Sequence, residues 1–408
     1  MLIILIAVLT FYVAWNLGAN DVANAMGTSV GSKAVTLKQA LIIAGILEFT
    51  GAVLFGHQVT ETLGTKIANP ELFVNTPQTL ILGMVTVLLA AGIWLQIATS
   101  LSLPVSSSHA VVGAIAGFSW VSLGIEAIDW HSIGLITVGW ILTPVISSVV
   151  AALFYTIIQK FILEQKQPIL QLQEWIPWLS VLFLGIFGII VLPSLTQPFN
   201  KFILNQWGVN LSDYDIPILT GGLGAIALSV YSWKQLAAPE ATIEKVFGRF
   251  QLLSACFVAF AHGSNDVGNA IAPLAVISYI NQIGTVPQNN IIIPLWILIL
   301  GGAGIVAGLA VWGKKVIATI GENIITLQPS SGFCAELATA TTILLASRLG
   351  LPVSTSHALV GGVVGIGLVK NWQSIKFGTL KAIASAWLIT VPISALLSAL
   401  IFILIRIF

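Results

Sequence analysis

Residues 18–25 read GANDVANA and residues 263–270 read GSNDVGNA, with six of eight positions identical. Each octapeptide lies inside a long apolar run, where Asn, Asp and Asn are the residues least expected. What surrounds these two stretches explains why polar residues recur there.

Of 408 residues, 57% are hydrophobic and 8% charged, and the mean hydropathy is +0.99. Soluble domains carry about 25% charged residues, so the chain is a membrane protein. A helical span takes about 20 apolar residues. Such runs fall at 1–24, 36–56, 78–100, 104–124, 132–160 and 176–194, then at 216–233, 251–280, 291–312, 334–350, 353–369 and 378–405. The longest gaps, 195–215, 234–250 and 313–333, cannot hold a soluble domain of about 50 residues. The first run lacks a basic leader and contains the opening motif, so it is expected to be a retained span rather than a cleaved signal. Cys256 and Cys334, both in apolar runs, support neither a disulfide framework nor a metal cluster.

If all twelve runs cross, one side of the membrane collects Lys33, Lys38, Lys160, Lys166, Lys234, Lys245, Arg249, Lys314, Lys315, Lys370, Lys376 and Lys381. The other side has Lys66, Lys201, Arg348 and Arg406. Twelve basic residues against four predict the richer side inside and both termini outside a cell (inner or plasma) membrane.

The opening motif is one of several repeated pairs. LPVSSSHAVVGAIAG (103–117) and LPVSTSHALVGGVVG (351–365) share ten of fifteen positions, and GHQVTETLGTKI (56–67) faintly matches GKKVIATIGENI (313–324). The pairs keep the same order, as a duplicated unit of about five spans would. Between equivalent points lie seven crossings, or five if the Ser-rich segments form re-entrant hairpins. Both counts are odd, so the halves must be inverted relative to each other, an architecture that places substrate near the midplane between repeats. The expectation is an all-α polytopic membrane protein of about 12 transmembrane segments in two inverted repeats, with broken helices or re-entrant hairpins. Residues 1–160 form repeat 1, 161–249 a linker with two spans, and 250–408 repeat 2.

On a helix, Asn20, Asp21 and Asn24 share one face, as do Asn265, Asp266 and Asn269. Gly18, Gly263, Gly268 and Pro273 are positions where a membrane helix can unwind and release carbonyls, if the site is buried in protein or lines a cavity. Carboxylate, amide and carbonyl oxygens suit a hard cation such as Na+, and Asp21 and Asp266 are the proposed Na+ ligands. An Asp at bilayer depth costs about 3 kcal/mol on insertion scales and is a functional candidate by default. The alternative is that Asn and Gly only hold helices together.

The runs Ser106, Ser107, Ser108 and Ser354, Thr355, Ser356 follow a Pro and lead into an apolar segment, the pattern of a capped helix start. A helix N-terminus offers free N–H groups and a positive dipole end, an anion site without Arg or Lys. Ordinary capping is the competing reading. Two of these starts facing each other would converge on one anion. Glu48 and Glu336, also in apolar runs, suggest cation binding or protonation. They are not repeat equivalents, since Glu48 aligns with Ile305 and Glu336 with Leu88. Glu61, Glu71, Asp129, Glu164, Asp213 and Glu240 fall in connections, and Arg348 is expected at a boundary. His109, His262 and His357 are open between structural and proton-carrying roles. Four intramembrane carboxylates without a fixed positive charge point to an anion moved together with Na+ or H+.

GANDVANA with GSNDVGNA, the PVSSSHA and PVSTSHA pair, and the contexts of Glu48 and Glu336 resemble the inorganic phosphate transporter (PiT) family, over about 1–160 and 250–405. The resemblance implies a secondary active transporter importing phosphate by symport with Na+ or H+, and a homodimer in the lipid bilayer. On it, Asn20, Asp21, Asn24, Asn265, Asp266, Asn269, Glu48 and Glu336 map to the cation and substrate region. Ser106, Ser107, Ser108, Ser354, Thr355 and Ser356 map to phosphate binding. No cofactor, enzyme activity or nucleic-acid partner is expected. A permease for sulfate or another tetrahedral oxyanion is the main rival; a channel and a membrane hydrolase fit the paired inverted motifs less well.

Overall fold

The computed structural model describes residues 2–101, 103, 105–288, 291–320 and 325–407, with the side chains of 314–320 and 374 left outside the description. The faint repeat partner at 313–324 is therefore only partly described, and Pro104 and the Lys314 and Lys315 side chains lie outside it. The described residues are helical almost throughout. The first half comprises α1 (Leu2–Gly31), α2 (Leu37–Phe55), α3 (His57–Thr65), α4 (Pro77–Ser100), α5 (Ser107–Leu123) and α6 (Trp130–Ile158). Then come α7 (Pro168–Trp207) and α8 (Asp215–Leu236). The second half comprises α9 (Ile243–Ile283), α10 (Leu295–Ile320), α11 (Pro329–Arg348), α12 (Thr355–Asn371) and α13 (Phe377–Ile407).

All these helices except α3 correspond one for one to the twelve apolar runs. Among the described residues, nine are long and apolar enough to cross a membrane by themselves. The other three, α5, α11 and α12, belong to the Ser-rich segments, which form the hairpins α4–α5 and α11–α12. At 17 residues each, α5 and α12 are about 25 Å long, short of the roughly 30 Å hydrocarbon core. Their starting turns are buried, with Val105, Ser106, Val353 and Ser354 at 1–3% exposure.

Close helix crossings show how the halves fit. A Cβ at Gly18 would collide with the Ile305 carbonyl, and one at Gly263 with the Glu48 carbonyl. Gly308 sits in the same way on Trp15, and Gly51 on Phe260. Thus α1 crosses α10 as α9 crosses α2. Gly113 and Gly117 rest on Val391 and Ala395, while Gly361 and Gly365 rest on Pro144 and Ser148, so α5 packs on α13 as α12 packs on α6. Every contact has a partner obtained by exchanging the halves, and in that exchange Glu48 takes the place of Ile305. With α2 and α4 to α8 intervening, α1 and α9 traverse the bilayer in opposite directions whether or not the first hairpin crosses.

These glycines correct one expectation. Both α1 and α9 run unbroken through their motifs, α9 for 41 residues with Pro273 inside it. The glycines let backbones touch instead of unwinding them, which is how small residues serve helix packing in a membrane. Pro273 still releases one acceptor, because it lacks the N–H that would bond the Asn269 carbonyl four residues earlier. A similar gap in α7 is filled from outside the helix. Pro193 leaves the Ile189 carbonyl without its helical donor, and Arg348 Nη1 donates to Ile190 at 2.6 Å and to Ile189 at 3.3 Å. Glu61, expected in a connection, lies on α3, the short helix that hydropathy passed over.

Candidate functional site

The two NDVxNA segments meet the two hairpin turns in the interior. Asn20, Asp21 and Asn24 on α1, and Asn265, Asp266 and Asn269 on α9, are all buried, none above 8% exposure. Helical spacing aims each trio to one side. Asp21 Oδ1 accepts from the Asn24 amide at 3.1 Å and the Asn20 amide at 3.3 Å.

Each motif then receives the end of a hairpin. Thr99, near the end of α4, donates to Asn20 Oδ1 at 3.4 Å. Its repeat counterpart Ser347, near the end of α11, accepts from the Asn265 amide at 2.9 Å. The α5 start reaches across the halves: the Asn269 amide donates to Ser107 at 3.3 Å and to Ser108 at 3.1 Å. At the start of α12, Thr355 donates to Asp266 Oδ2 at 3.1 Å. Ser106 and Ser354 are the N-caps, accepting from the backbone N–H of His109 and His357. Ser108 donates to the Val353 carbonyl at 2.9 Å, tying one turn to the other. Ser356 lies 2.9 Å from Ser354. The hydroxyl runs are therefore partly committed to capping and to each other.

Sequence reasoning left His262 undecided, and the structure puts it at the centre. Its Nδ1 lies 3.2 Å from Glu48 Oε1 and its Nε2 2.9 Å from Asp266 Oδ2, all three side chains being buried. One ligand atom each from Asp21, His262 and Asp266 lies within 4.8 Å of the others. Thr99 and Ser347 were likewise missed, because single hydroxyls in apolar helices carry no signal without their partners. His262 had a readable one: it stands one turn before Asp266, while the matching position in repeat 1 is Leu17.

Glu336 belongs elsewhere. Its Oε1 accepts from Thr28 and Ser29 at 2.6 Å and from Gln251 at 3.1 Å, and its Oε2 from Ser254 at 2.7 Å. Ser254 and Asp266 are twelve residues apart on α9, about 18 Å along the axis. The four intramembrane carboxylates thus divide into a central three and a separate, fully hydrogen-bonded one that joins α1, α9 and α11.

The central site is short of positive charge. Among the described residues, Asp21, Glu48 and Asp266 face one imidazole, and neither Lys nor Arg joins them. Two carboxylates near 5 Å apart repel by about 3 kcal/mol at an effective dielectric of 20. Among the described residues, Asp21 Oδ2, Asp266 Oδ1, Asn265 Oδ1 and Asn269 Oδ1 are buried without a hydrogen-bond partner. Each such acceptor costs roughly 1–3 kcal/mol unless something satisfies it. The arrangement suits a cation between the acidic groups and an anion at the helix starts.

Architecture and site together define a polytopic membrane protein with a buried polar centre between two repeats. The phosphate transporter family matches residues 17–398. The chain is 39% identical over 414 residues to inorganic phosphate transporter 2-1, chloroplastic, of Arabidopsis thaliana, covering 96% of this chain and 70% of that protein. It is also similar to a solved structure, described as the sodium-dependent phosphate transporter, with a TM-score of 0.91 and 36% identity over 100% of both chains. The chain belongs to the phosphate transporter family.

Proposed function

We propose that the protein imports inorganic phosphate by symport with a cation, Na+ in the first reading and H+ in the second. Alternating access would occur at a midplane site between residues 1–160 and 250–408, with 161–249 as linker. The carrying observation is the set of four buried oxygens without partners among the described residues, beside two hydroxyl-lined helix starts, in a site that no described Lys or Arg joins. Asn265 and Asn269 favour Na+. An amide oxygen does not take up a proton at physiological pH, but it coordinates a hard cation readily. The solved relative's description as sodium-dependent supports the same choice.

In this reading Asp21 and Asp266 hold Na+, assisted by Asn20, Asn24, Asn265 and Asn269. Glu48 and His262 keep Asp266 in place. Phosphate sits against the N–H groups and hydroxyls opening α5 and α12, where the helix dipoles and the bound cation offset its charge. Glu336 is a second cation or proton site, away from the anion. Phosphate is favoured over sulfate because its remaining proton at neutral pH can be donated to a nearby carboxylate, a bond that sulfate cannot make. A homodimer in a cell membrane with both termini outside completes the proposal.

The test is uptake of labelled phosphate into proteoliposomes, first under an inward Na+ gradient and then under a pH gradient alone, with sulfate as competitor. Saturable accumulation driven by Na+ and resistant to sulfate is expected. Accumulation driven by the pH gradient alone would establish the H+ reading. Equilibration without accumulation under either gradient would refute symport.

A further inference from the structure

At the start of each anion-facing helix a histidine is bonded to the opposite repeat. His109 Nδ1, on α5, lies 3.2 Å from the Trp387 carbonyl on α13, and His357 Nδ1, on α12, lies 3.1 Å from the Trp140 carbonyl on α6. Each ring also packs, tilted by 40° or 37°, against a tryptophan of its own repeat. The centroid separations are 3.8 Å for His109 on Trp140 and 3.6 Å for His357 on Trp387. The imidazoles themselves meet edge to face, 4.8 Å between centroids and 81° between planes. Four rings therefore pack where the repeats exchange, and each histidine reads both halves at once.

The chemistry of these contacts is specific. A carbonyl oxygen only accepts, so each Nδ1 carries the hydrogen and the ring is fixed as a donor at that atom. The Trp140 acceptor is available because Pro144, four residues on, lacks the N–H that would bond it, whereas the Trp387 carbonyl, four residues before Val391, takes the His109 bond beside its own helical donor. Trp140 adds a return link, its Nε1 donating to Pro352 at 2.9 Å in the turn that opens α12. Both imidazoles are only 5% exposed, and both Nε2 atoms are buried without a partner. Among the described residues, neither Nε2 has a hydrogen-bond partner through which a proton could pass to the site.

Each histidine is the third residue of its capped turn, directly after Ser107 and Ser108 or after Thr355 and Ser356. A helix start anchored there cannot rotate without stretching the Nδ1–H bond. We propose that His109 and His357 are positioning residues for the anion. They form a crossed clasp that sets the spacing and rotation of the two helix starts through Nδ1–H donation, and they do not carry protons. This inference rests on the reading that those helix starts bind phosphate.

The test compares Ala, Asn and Gln at each position by the concentration dependence of phosphate uptake in proteoliposomes. The Asn amide nitrogen falls near Nδ1, whereas the Gln amide reaches toward Nε2, and neither carries a proton. His109→Ala and His357→Ala are expected to raise the half-saturation concentration about 10-fold, the loss of one positioning hydrogen bond, with a smaller change in maximal rate. Asn should restore it and Gln should not. Unchanged half-saturation in both Ala variants, or loss of uptake in the Asn variants purified as monodisperse protein, would overturn the clasp. Ser107→Ala with Thr355→Ala separates this failure from that of the anion site. If that double variant weakens affinity while the histidine variants do not, the clasp alone is wrong; if it also binds normally, the phosphate reading fails first.

Discussion

Asp21 and Asp266 are the residues on which the proposed coupling turns, because each is a buried carboxylate with one oxygen left without a hydrogen-bond partner among the described residues. Replacing either with Asn keeps shape and polarity while removing the charge that holds the cation. Asp21→Asn and Asp266→Asn are expected to lower gradient-driven uptake at least 100-fold, the loss of about 3 kcal/mol of charge-assisted binding. Both proteins should still elute as folded species in detergent. The hydroxyls act on the anion instead. Ser107→Ala with Thr355→Ala should raise the half-saturation concentration for phosphate about 10-fold, and an unchanged value would leave these side chains only with their bonds to Asn269 and Asp266. At this scale the sequence was informative wherever a residue contradicted its surroundings. An Asp in an apolar run is visible without coordinates. His262, Thr99 and Ser347 were not, since their meaning lies in a partner on another helix.

Among elements, the crossings of α1 with α10 and of α9 with α2 bring backbones into close approach, and they rest on Gly18, Gly308, Gly263 and Gly51. Their glycines face backbone atoms that cannot rotate away. Gly18→Val or Gly263→Val should therefore destabilise the folded protein by 2 kcal/mol or more, as overpacking does, read as a lowered thermal transition in detergent. Gly134→Ala on α6 is the control, because a Cβ there meets nothing within 4 Å, and no loss of stability is expected. The repeat told from sequence that Gly18 and Gly263 recur in register. It did not tell whether they break a helix or seat one on another, because both uses ask for the smallest residue. Continuous helices through both motifs settle it for packing. The capped turns at Ser106 and Ser354 were more legible, since a Pro followed by hydroxyls and an apolar run has few other local solutions.

For the molecule as a whole, the inverted arrangement follows from counting helices, and so was readable before any contact was known. Odd parity survives the one ambiguity that hydropathy left, the hairpins α4–α5 and α11–α12. The absolute orientation rests on the distribution of Lys and Arg and has its own test. Single cysteines at 2 and 407, in a background lacking Cys256 and Cys334, should react with an impermeant maleimide in intact cells, whereas a cysteine at Lys33 should be protected. The reverse pattern would turn the protein over without altering the site. What sequence could not supply at this scale is which residues converge. Glu48 and Glu336 read alike as buried acids, yet one joins His262 and Asp266 while the other binds four donors about 18 Å away along α9.

The central claim is that a cation held by Asp21 and Asp266 makes the helix starts competent for phosphate. Equilibrium binding of labelled phosphate to the purified protein, with Na+ titrated at constant ionic strength and pH, tests it most directly. In the wild type, phosphate affinity should rise at least 10-fold between low and saturating Na+, and Asp21→Asn should abolish the rise. Phosphate affinity that is high without Na+ and indifferent to it, in wild type and variant alike, would contradict the account.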